Sequence, residues 1–396
     1  MKETWLIEPR DSLIVRDGKP FGLGAGNRAD SIQFPFPSTL IGAIRTRVGL
    51  EKIGGDRGKF NGALSDEVQR EISIKGPFLV EVRDTEVDLL VFSPSDCVVF
   101  EVEDNSVNGE LIPLLPLEKD KSYVTDLQEE LHLCGLVRFE KAKPHRRAPR
   151  FWFWQKFEDW LKEAKVTTEN LNSLGIFGLE KDRRIHVAID YKKRAAREGM
   201  LFETRGLEFI SVSSSNQAKF KRYAIALQVD YGNFSERLVE TIAPLGGERR
   251  LAYWQKVNLD LPCIPPEIKQ KIVSEKHCRL ILLTPAVFED GFLPKWLLEN
   301  VTELKIEIKA VALNRYQVIS GWDFKKGKPK PTRRLCPAGT TFFLKLEGGE
   351  DSIEKWIDKV WFSNVSDDEQ DRKDGFGLAA LGVWDGRFLK LEEVLK

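Results

Sequence analysis

A surplus of charge of either sign is missing from this sequence: its 396 residues hold 61 Lys+Arg and 61 Asp+Glu, a formal net charge of zero. That excludes the global positive field by which a strongly basic protein gathers nucleic acid, so any polyanion site has to be local. Cysteine is scarce too. The five, Cys97, Cys134, Cys263, Cys278 and Cys336, are odd in number, scattered and without a C-x-x-C pair, which argues against a disulfide framework or a zinc site and leaves them as buried thiols. The four histidines, His132, His145, His186 and His277, form no H-E-x-x-H, no H-x-H and no adjacent His-Asp dyad, so no metal is expected. A G-x-S-x-G elbow is absent and no cysteine lies in a nucleophile context, so covalent catalysis finds no support.

Two glycine motifs also fail as cofactor signatures. In a dinucleotide fingerprint the glycines open a helix whose N-terminus meets the pyrophosphate, but here GLGAG is separated from the next helix by Pro35 and Pro37. IGGDRGKF has too short a glycine spacing for a Walker loop, and Phe60 stands where a magnesium-binding Ser or Thr belongs. No cofactor is therefore expected. With 31% charged residues and no long apolar run, no membrane partner is expected either. The opening MKETWLIEPRDSLIV has neither a basic start with an apolar stretch nor an acid-poor transit pattern, which sets the cytoplasm as the expected location.

What is present is a globular chain, 42% apolar and long enough for two domains. TWLIEPRDSLIVRDGKPF reads as an extended segment turning at Asp17-Gly18. A helix follows from Ser38, an N-cap residue type, through Leu40, Ile41, Ile44 and Val48, with Gly42 marking a close approach. EISIKGPFLVEV and DLLVFSPSDCVVFEVE read as strands. In FWFWQKFEDWLKEA, Trp154, Phe157, Trp160, Leu161 and Ala164 fall at helical spacing, a core stripe.

One order of parts occurs twice. Strand YAIALQVD, helix FSERLVETIA, loop PLGGERR and strand LAYWQKV are matched by strand AGTTFFLKLE, helix DSIEKWIDKVWF, loop DRKDGFG and strand LAALGVW. A βαββαβ unit ends with such a step, so the expected fold class is α+β, with two ferredoxin-like domains. The boundary falls at the proline-rich LDLPCIPPE, giving domains at 1–258, with an insertion at about 51–163, and at 259–396.

Local charge does segregate. KAKPHRRAPR (residues 141–150) and FKKGKPKPTRR (residues 324–334) hold no acid, whereas residues 367–371 hold four. The glycine loops GGERR (residues 246–250) and RKDGFG (residues 372–377) combine close backbone approach with neighbouring Arg and Lys, and Phe376 is placed to stack on an unpaired base. The competing reading makes both loops tight turns, with Phe376 in the core. EKDRRIHVAIDYKKRAAREGMLFET reads as strand, basic arm and return strand, bringing Arg183, Arg184, Lys192, Lys193, Arg194 and Arg197 to an RNA backbone, or as a solvated hairpin.

The ordered set WLIEPRDSLIVRDGKPF, FPFPSTLIGAIRT, RRIHVAID…GMLFET, PLGGERR, YQVISGWD…KPKPTRRLCPAGT and DGFGLAALGVWDG resembles the RAMP-superfamily subunit of the type III-B CRISPR (Cmr) effector complex that caps the guide RNA's 5′ end. The resemblance implies RRM-related folds and a non-catalytic role. Its partners would be the crRNA 5′ handle, the large polymerase-like subunit and the backbone RAMP subunit of that complex. By motif it implies RNA contacts at Gly22, Gly24, Arg28, Ser38, Arg45, Arg47, Gly246, Gly247, Arg249, Arg250, Gly375, Phe376 and Gly377.

The superfamily also contains metal-independent endoribonucleases that process guide precursors, which need an acid-base group at the scissile phosphate. The alternative function is therefore such a nuclease, using His145 or His186. Against it, the histidine that processing relatives carry near the first helix is missing here: residues 45–50 hold none, and the first histidine is His132. A third reading, suggested by the neutral net charge, is a protein-only adaptor.

Overall fold

The computed structural model describes residues 1–15, 28–29, 31–84, 86–102, 105–119, 125–128, 130–213, 219–299, 303–323 and 328–394. The turn expected at Asp17-Gly18 lies outside them, as do Gly22 and Gly24. The chain divides into two compact units: Met1–Asp88, Gly178–Leu259 and Val318–Arg334 form the first, and Leu89–Phe177, Asp260–Gln317 and Leu335–Lys396 the second. One division falls between Leu259 and Asp260. The segment expected as a single insertion is shared instead, since residues 89–177 belong with the C-terminal part of the chain. Both units mix helices with antiparallel sheet, an α+β architecture.

In the first unit the opening strand Lys2–Pro9 lies between Lys219–Asp230 and Leu251–Val257, with Leu6 opposite Ala226 on one side and Gln255 on the other. Ser73–Arg83 pairs with the outer side of Lys219–Asp230, and Thr241–Pro244 forms the far edge. Taken in chain order as strands one to four, Lys2–Pro9, Ser73–Arg83, Lys219–Asp230 and Leu251–Val257 stand in the spatial order 4-1-3-2. Trp5, Leu6 and Ile7 are buried in succession, so this central strand is covered on both faces and reads as a continuous apolar run.

The helix Pro37–Lys52 buries Leu40, Ile41, Ile44 and Val48 as their spacing requires. Its start corrects the expectation at Ser38. The cap residue is Phe36, which offers no side-chain bond, and Pro37 opens the helix, where a fixed φ and a missing N–H cost nothing. Gly42 is exposed with open space around it and marks no close approach.

The helix expected in FSERLVETIA does not form. Phe234 and Leu238 are buried, the Phe234 N–H donates to Tyr231 O at 2.9 Å, Arg237 stacks on Tyr231, and Arg47 takes the Val239 carbonyl. These tertiary contacts hold the segment irregular up to the strand Thr241–Pro244, overriding a weak helical preference.

The second unit repeats the strand order with both helical crossings in place. Strands His277–Leu282, Leu304–Ala312, Thr341–Gly348 and Ala379–Val383, in chain order, stand 4-1-3-2 with each neighbouring pair antiparallel. Lys295–Glu299 lies between the first two and Glu350–Val360 between the last two. Phe157, Trp160 and Leu161 of the helix Trp154–Lys162 are buried, as the aromatic stripe predicts.

An ion pair lies deep in this unit. Arg279 Nη1 meets Asp96 Oδ2 at 2.6 Å with each side chain 1% exposed. The other Asp96 oxygen accepts from Trp160 Nε1 and Thr341 Oγ1, both at 3.2 Å, and Arg279 also donates to the carbonyls of Trp160 and Val383. Buried charge is tolerated here because both partners are bonded on every side.

The acidic run at residues 367–371 is structural. Asp367 accepts the N–H groups of Glu289 and Trp296, Asp368 caps the helix Glu369–Lys373, and Asp371 is buried. Among the described residues no helix is long and apolar enough to cross a membrane.

Candidate nucleic-acid interface

The short buried segment Leu13, Ile14 and Val15 of the first unit is the point on which several sequence motifs converge. Leu13 exchanges both backbone hydrogen bonds with Leu207, at 2.8 and 2.9 Å. Ile14 O accepts the Gly247 N–H at 2.7 Å, and a Cβ on Gly246, whose φ is +72°, would stand 2.6 Å from that same oxygen. Gly246 is thus required both by its left-handed backbone and by the approach of the loop to the strand. Val15 O accepts the Ile32 N–H at 3.0 Å, and the Ser31 hydroxyl donates to Arg205 O at 2.5 Å. Beside them Arg28–Ala29 pairs in parallel with Glu203 and Thr204. The GGERR loop, the return strand of the basic hairpin and both ends of the segment carrying Gly22 and Gly24 therefore meet at one place.

The hairpin pairs Glu180–Asp190 with Ala195–Glu208, and Asp190 opposite Ala195 is its last pair. The expected long basic arm is a four-residue turn on two long strands. Its sharp reversal follows from Asp190, whose carboxylate accepts the N–H groups of Lys192 and Lys193 at 2.9 and 3.2 Å, and from Arg194 at φ +53°. Ten paired positions at about 3.4 Å each make a ribbon on the order of 30 Å long.

Charge changes along that ribbon. Near its base Glu203 binds Arg205 and Arg183, the latter at 2.8 Å, and Arg184 pairs with Asp182. The bond from Arg205, ahead of Arg183, holds the Glu203 carboxyl below the usual carboxylate range despite its desolvation. Burial pushes the neighbouring Glu208 carboxyl up, with Asp182 adding to the effect while Arg184 and Arg250 oppose it. At the tip, Lys192, Lys193, Arg194 and Arg197 are exposed and have no ion pair among the described residues. Arg249 is likewise exposed, at φ +54°, whereas Arg250 is half-buried and meets Glu248 at 3.5 Å. The base of the ribbon is neutralised internally, and its tip and Arg249 keep their charge for something else.

Other expected contacts lie elsewhere. Arg45 is buried and spends Nε and Nη2 on the Ile72 carbonyl, so it acts as a pin for the strand that follows. Arg47 donates Nη2 to Val239 O at 2.6 Å and lies over the Trp254 ring at 4.6 Å; desolvation lowers its pKa. Ser38 is half-buried in the first turn of that helix.

Gly375, Phe376 and Gly377 lie in the second unit and are all buried, with Phe376 at 0% exposure. Base stacking on Phe376 is corrected to a core role, because the loop's polar groups are bonded inward: Gly377 N–H donates to Pro285 O and Thr284 Oγ1 to Gly375 O, each at 2.8 Å.

Of the histidines proposed for acid-base work, His186 accepts or donates at Thr204 Oγ1, 2.8 Å away, and stacks on Phe202, while His145 Nδ1 accepts the Arg147 N–H. Among the described residues no group of His, Cys, Asp and Glu is placed to hold a metal ion. Among the exposed aromatics that sequence reasoning did not single out is Phe220, whose signal was the acid-free KFKR around it.

Comparison with known proteins supplies the family. No curated protein matches the chain. Two solved structures match the chain: a cryo-EM structure of the Type III-B Cmr-beta bound to cognate target RNA and AMPPnP, at 17% identity over 90% of this chain and 88% of the matched one with a TM-score of 0.47, and one of the Type III-B Cmr-beta bound to cognate target RNA, at 18% identity over 86% of each chain with a TM-score of 0.45. A family model described as CRISPR-associated protein (Cas_Cmr3) matches residues 5–384. With nearly its whole length so matched, the chain belongs to the Cas_Cmr3 family, as a subunit of the Cmr type.

Proposed function

We propose that this chain is a non-catalytic subunit of a type III-B CRISPR RNA-guided effector complex in antiviral defence. It holds the 5′ handle of the crRNA and docks the large polymerase-like subunit and the backbone RAMP subunit in the cytoplasm. The observation that carries the RNA role is the convergence on Leu13, Ile14 and Val15: a glycine loop with Arg249 outward and the base of a ribbon whose far end presents Lys192, Lys193, Arg194 and Arg197 with no ion pair among the described residues. Phosphate contacts of that kind give affinity without reading sequence, which suits a fixed handle joined to variable guides. The 4-1-3-2 strand order found in each unit supports the assignment of both as ferredoxin-like and RRM-related.

A tagged protein recovered from its host, with bound RNA sequenced and bound proteins identified by mass spectrometry, tests the proposal. Small RNAs sharing one fixed 5′ end, together with other Cmr subunits, are expected. Recovery of the protein free of RNA would overturn it.

A further inference from the structure

Past the base of the hairpin the chain forms a second, shorter ribbon, in which Ile210–Ser213 pairs antiparallel with the start of Lys219–Asp230. Ile210 stands opposite Arg222 and Val212 opposite Phe220. Residues two apart on a strand share a face, and so do residues directly opposed across a pair. One face therefore carries Ile210, Val212, Phe220 and Arg222, and the other carries Ser211 and Lys221.

The first face is open. Ile210 is 52% exposed, Val212 55% and Phe220 69%, and Arg222 is exposed as well. The nearby carboxylates serve the second face, where Glu180 accepts from Ser211 at 3.4 Å and Glu81 meets Lys221 at 3.5 Å. Arg222 has no ion pair and Phe220 no ring partner among the described residues.

The composition is as one-sided as the geometry. Residues 210–222, ISVSSSNQAKFKR, hold three bases and no acid, in a chain whose acids and bases are equal in number overall. Serine, Asn and Gln fill much of the remainder.

We infer that this face is a second RNA contact, distinct from the glycine-loop site, in which an unpaired base stacks on Phe220 while Arg222 meets an adjoining phosphate. The inference rests on the RNA-holding reading above and assigns it a further surface. An exposed aromatic on a basic strand is the usual platform for single-stranded RNA, because every base offers a π-face and every nucleotide a phosphate. Two strand positions separate the Phe220 and Arg222 Cα atoms by about 7 Å, within the reach of a single nucleotide. Ile210 and Val212 supply the apolar floor beside the ring. The absence of acid from the ribbon favours a polyanion over a protein partner, whose surface would carry both signs.

The test uses the full chain and a labelled oligouridylate, with the assembled complex purified in parallel. Phe220→Ala is expected to weaken binding about tenfold, and Phe220→Trp to retain it. Arg222→Glu is expected to reduce the salt dependence of binding by about one counterion. Both positions are surface sites, so folding is unaffected and is checked by thermal melting. Unchanged affinity and salt slope in both loss variants, with the unaltered protein still binding, would overturn the platform and leave the glycine-loop reading intact. Loss of a protein subunit from the purified complex, with RNA retained, would overturn it in favour of protein docking. Failure of the unaltered chain and complex to hold any RNA would bring down both.

Discussion

Two loops that look alike in sequence, GGERR in the first unit and KDGFG in the second, differ in what their glycines approach. Gly246 at φ +72° brings the first loop onto the Ile14 carbonyl and leaves Arg249 pointing outward. Gly377 at φ +83° lets the second loop press against Ser366, where a Cβ would stand 2.7 Å from the backbone nitrogen, and Phe376 is enclosed. A glycine loop reports that two backbones come close. It does not report whether the side chains beside it face solvent. That depends on the layer outside the loop, which in the second unit includes Thr284, Pro285 and Ser366 and in the first is open at Arg249.

The sharpest way to break this contrast is to attack the enclosed side. Asp96→Ala leaves Arg279 buried without its counter-charge and is expected to cost ~3–5 kcal/mol in denaturant unfolding. Phe376→Ala empties a closed site and is expected to cost about the same, ~3–5 kcal/mol, with RNA affinity per folded molecule unchanged. A Phe376→Ala protein of full stability that had lost RNA would reverse the assignment of the two loops.

On the open side the expected effects are smaller and of another kind. Arg249→Glu should alter stability by less than about 0.5 kcal/mol, since its side chain is exposed and makes no ion pair among the described residues. RNA binding should weaken, and its salt dependence should fall by about one counterion in a titration of affinity against salt. An undiminished slope would remove Arg249 from the interface.

Much of the scaffold could be read from pattern. Leu40, Ile41, Ile44 and Val48 gave the first helix, the stripe from Trp154 to Leu161 gave a core helix, and LAYWQKV matches a strand residue for residue. These are cases in which period and burial agree. FSERLVETIA failed because Arg47, 192 positions upstream in sequence, binds Val239 O, a contact that no local pattern contains. The site was legible in residue type and less so in placement. Arg45 and Arg249 are the same residue type, yet the first is consumed by the Ile72 carbonyl and the second is exposed. Phe220 was overlooked because a strand's outward face is known only once its partner's register is known.

The smallest expected effect uses the cysteines, all five of which fall in the second unit. Burial pushes the Cys134 thiol up to about 12 and Cys336 to about 11, and raises Cys97 and Cys278 as well. A thiol whose folded value lies above its unfolded one holds its proton better in the native state. Its stabilising contribution is complete below the ordinary thiol value of about 8.5 and is lost as pH rises towards the folded value. Between about pH 8.5 and 10 the second unit should therefore lose stability from this source while the first, having no cysteine, does not. Tyr223 and Tyr231 of the first unit, also raised by burial, add the same sign only above about pH 10. Hydrogen exchange read peptide by peptide separates the two units. Thiol alkylation of the native protein at pH 8 gives an independent check, because the exposed Cys263 should react well before Cys278 and Cys336, which are buried and protonated. Equal labelling of all three would mean that the second unit opens readily enough to expose its buried thiols, and the enclosure assigned to its glycine loop would no longer hold.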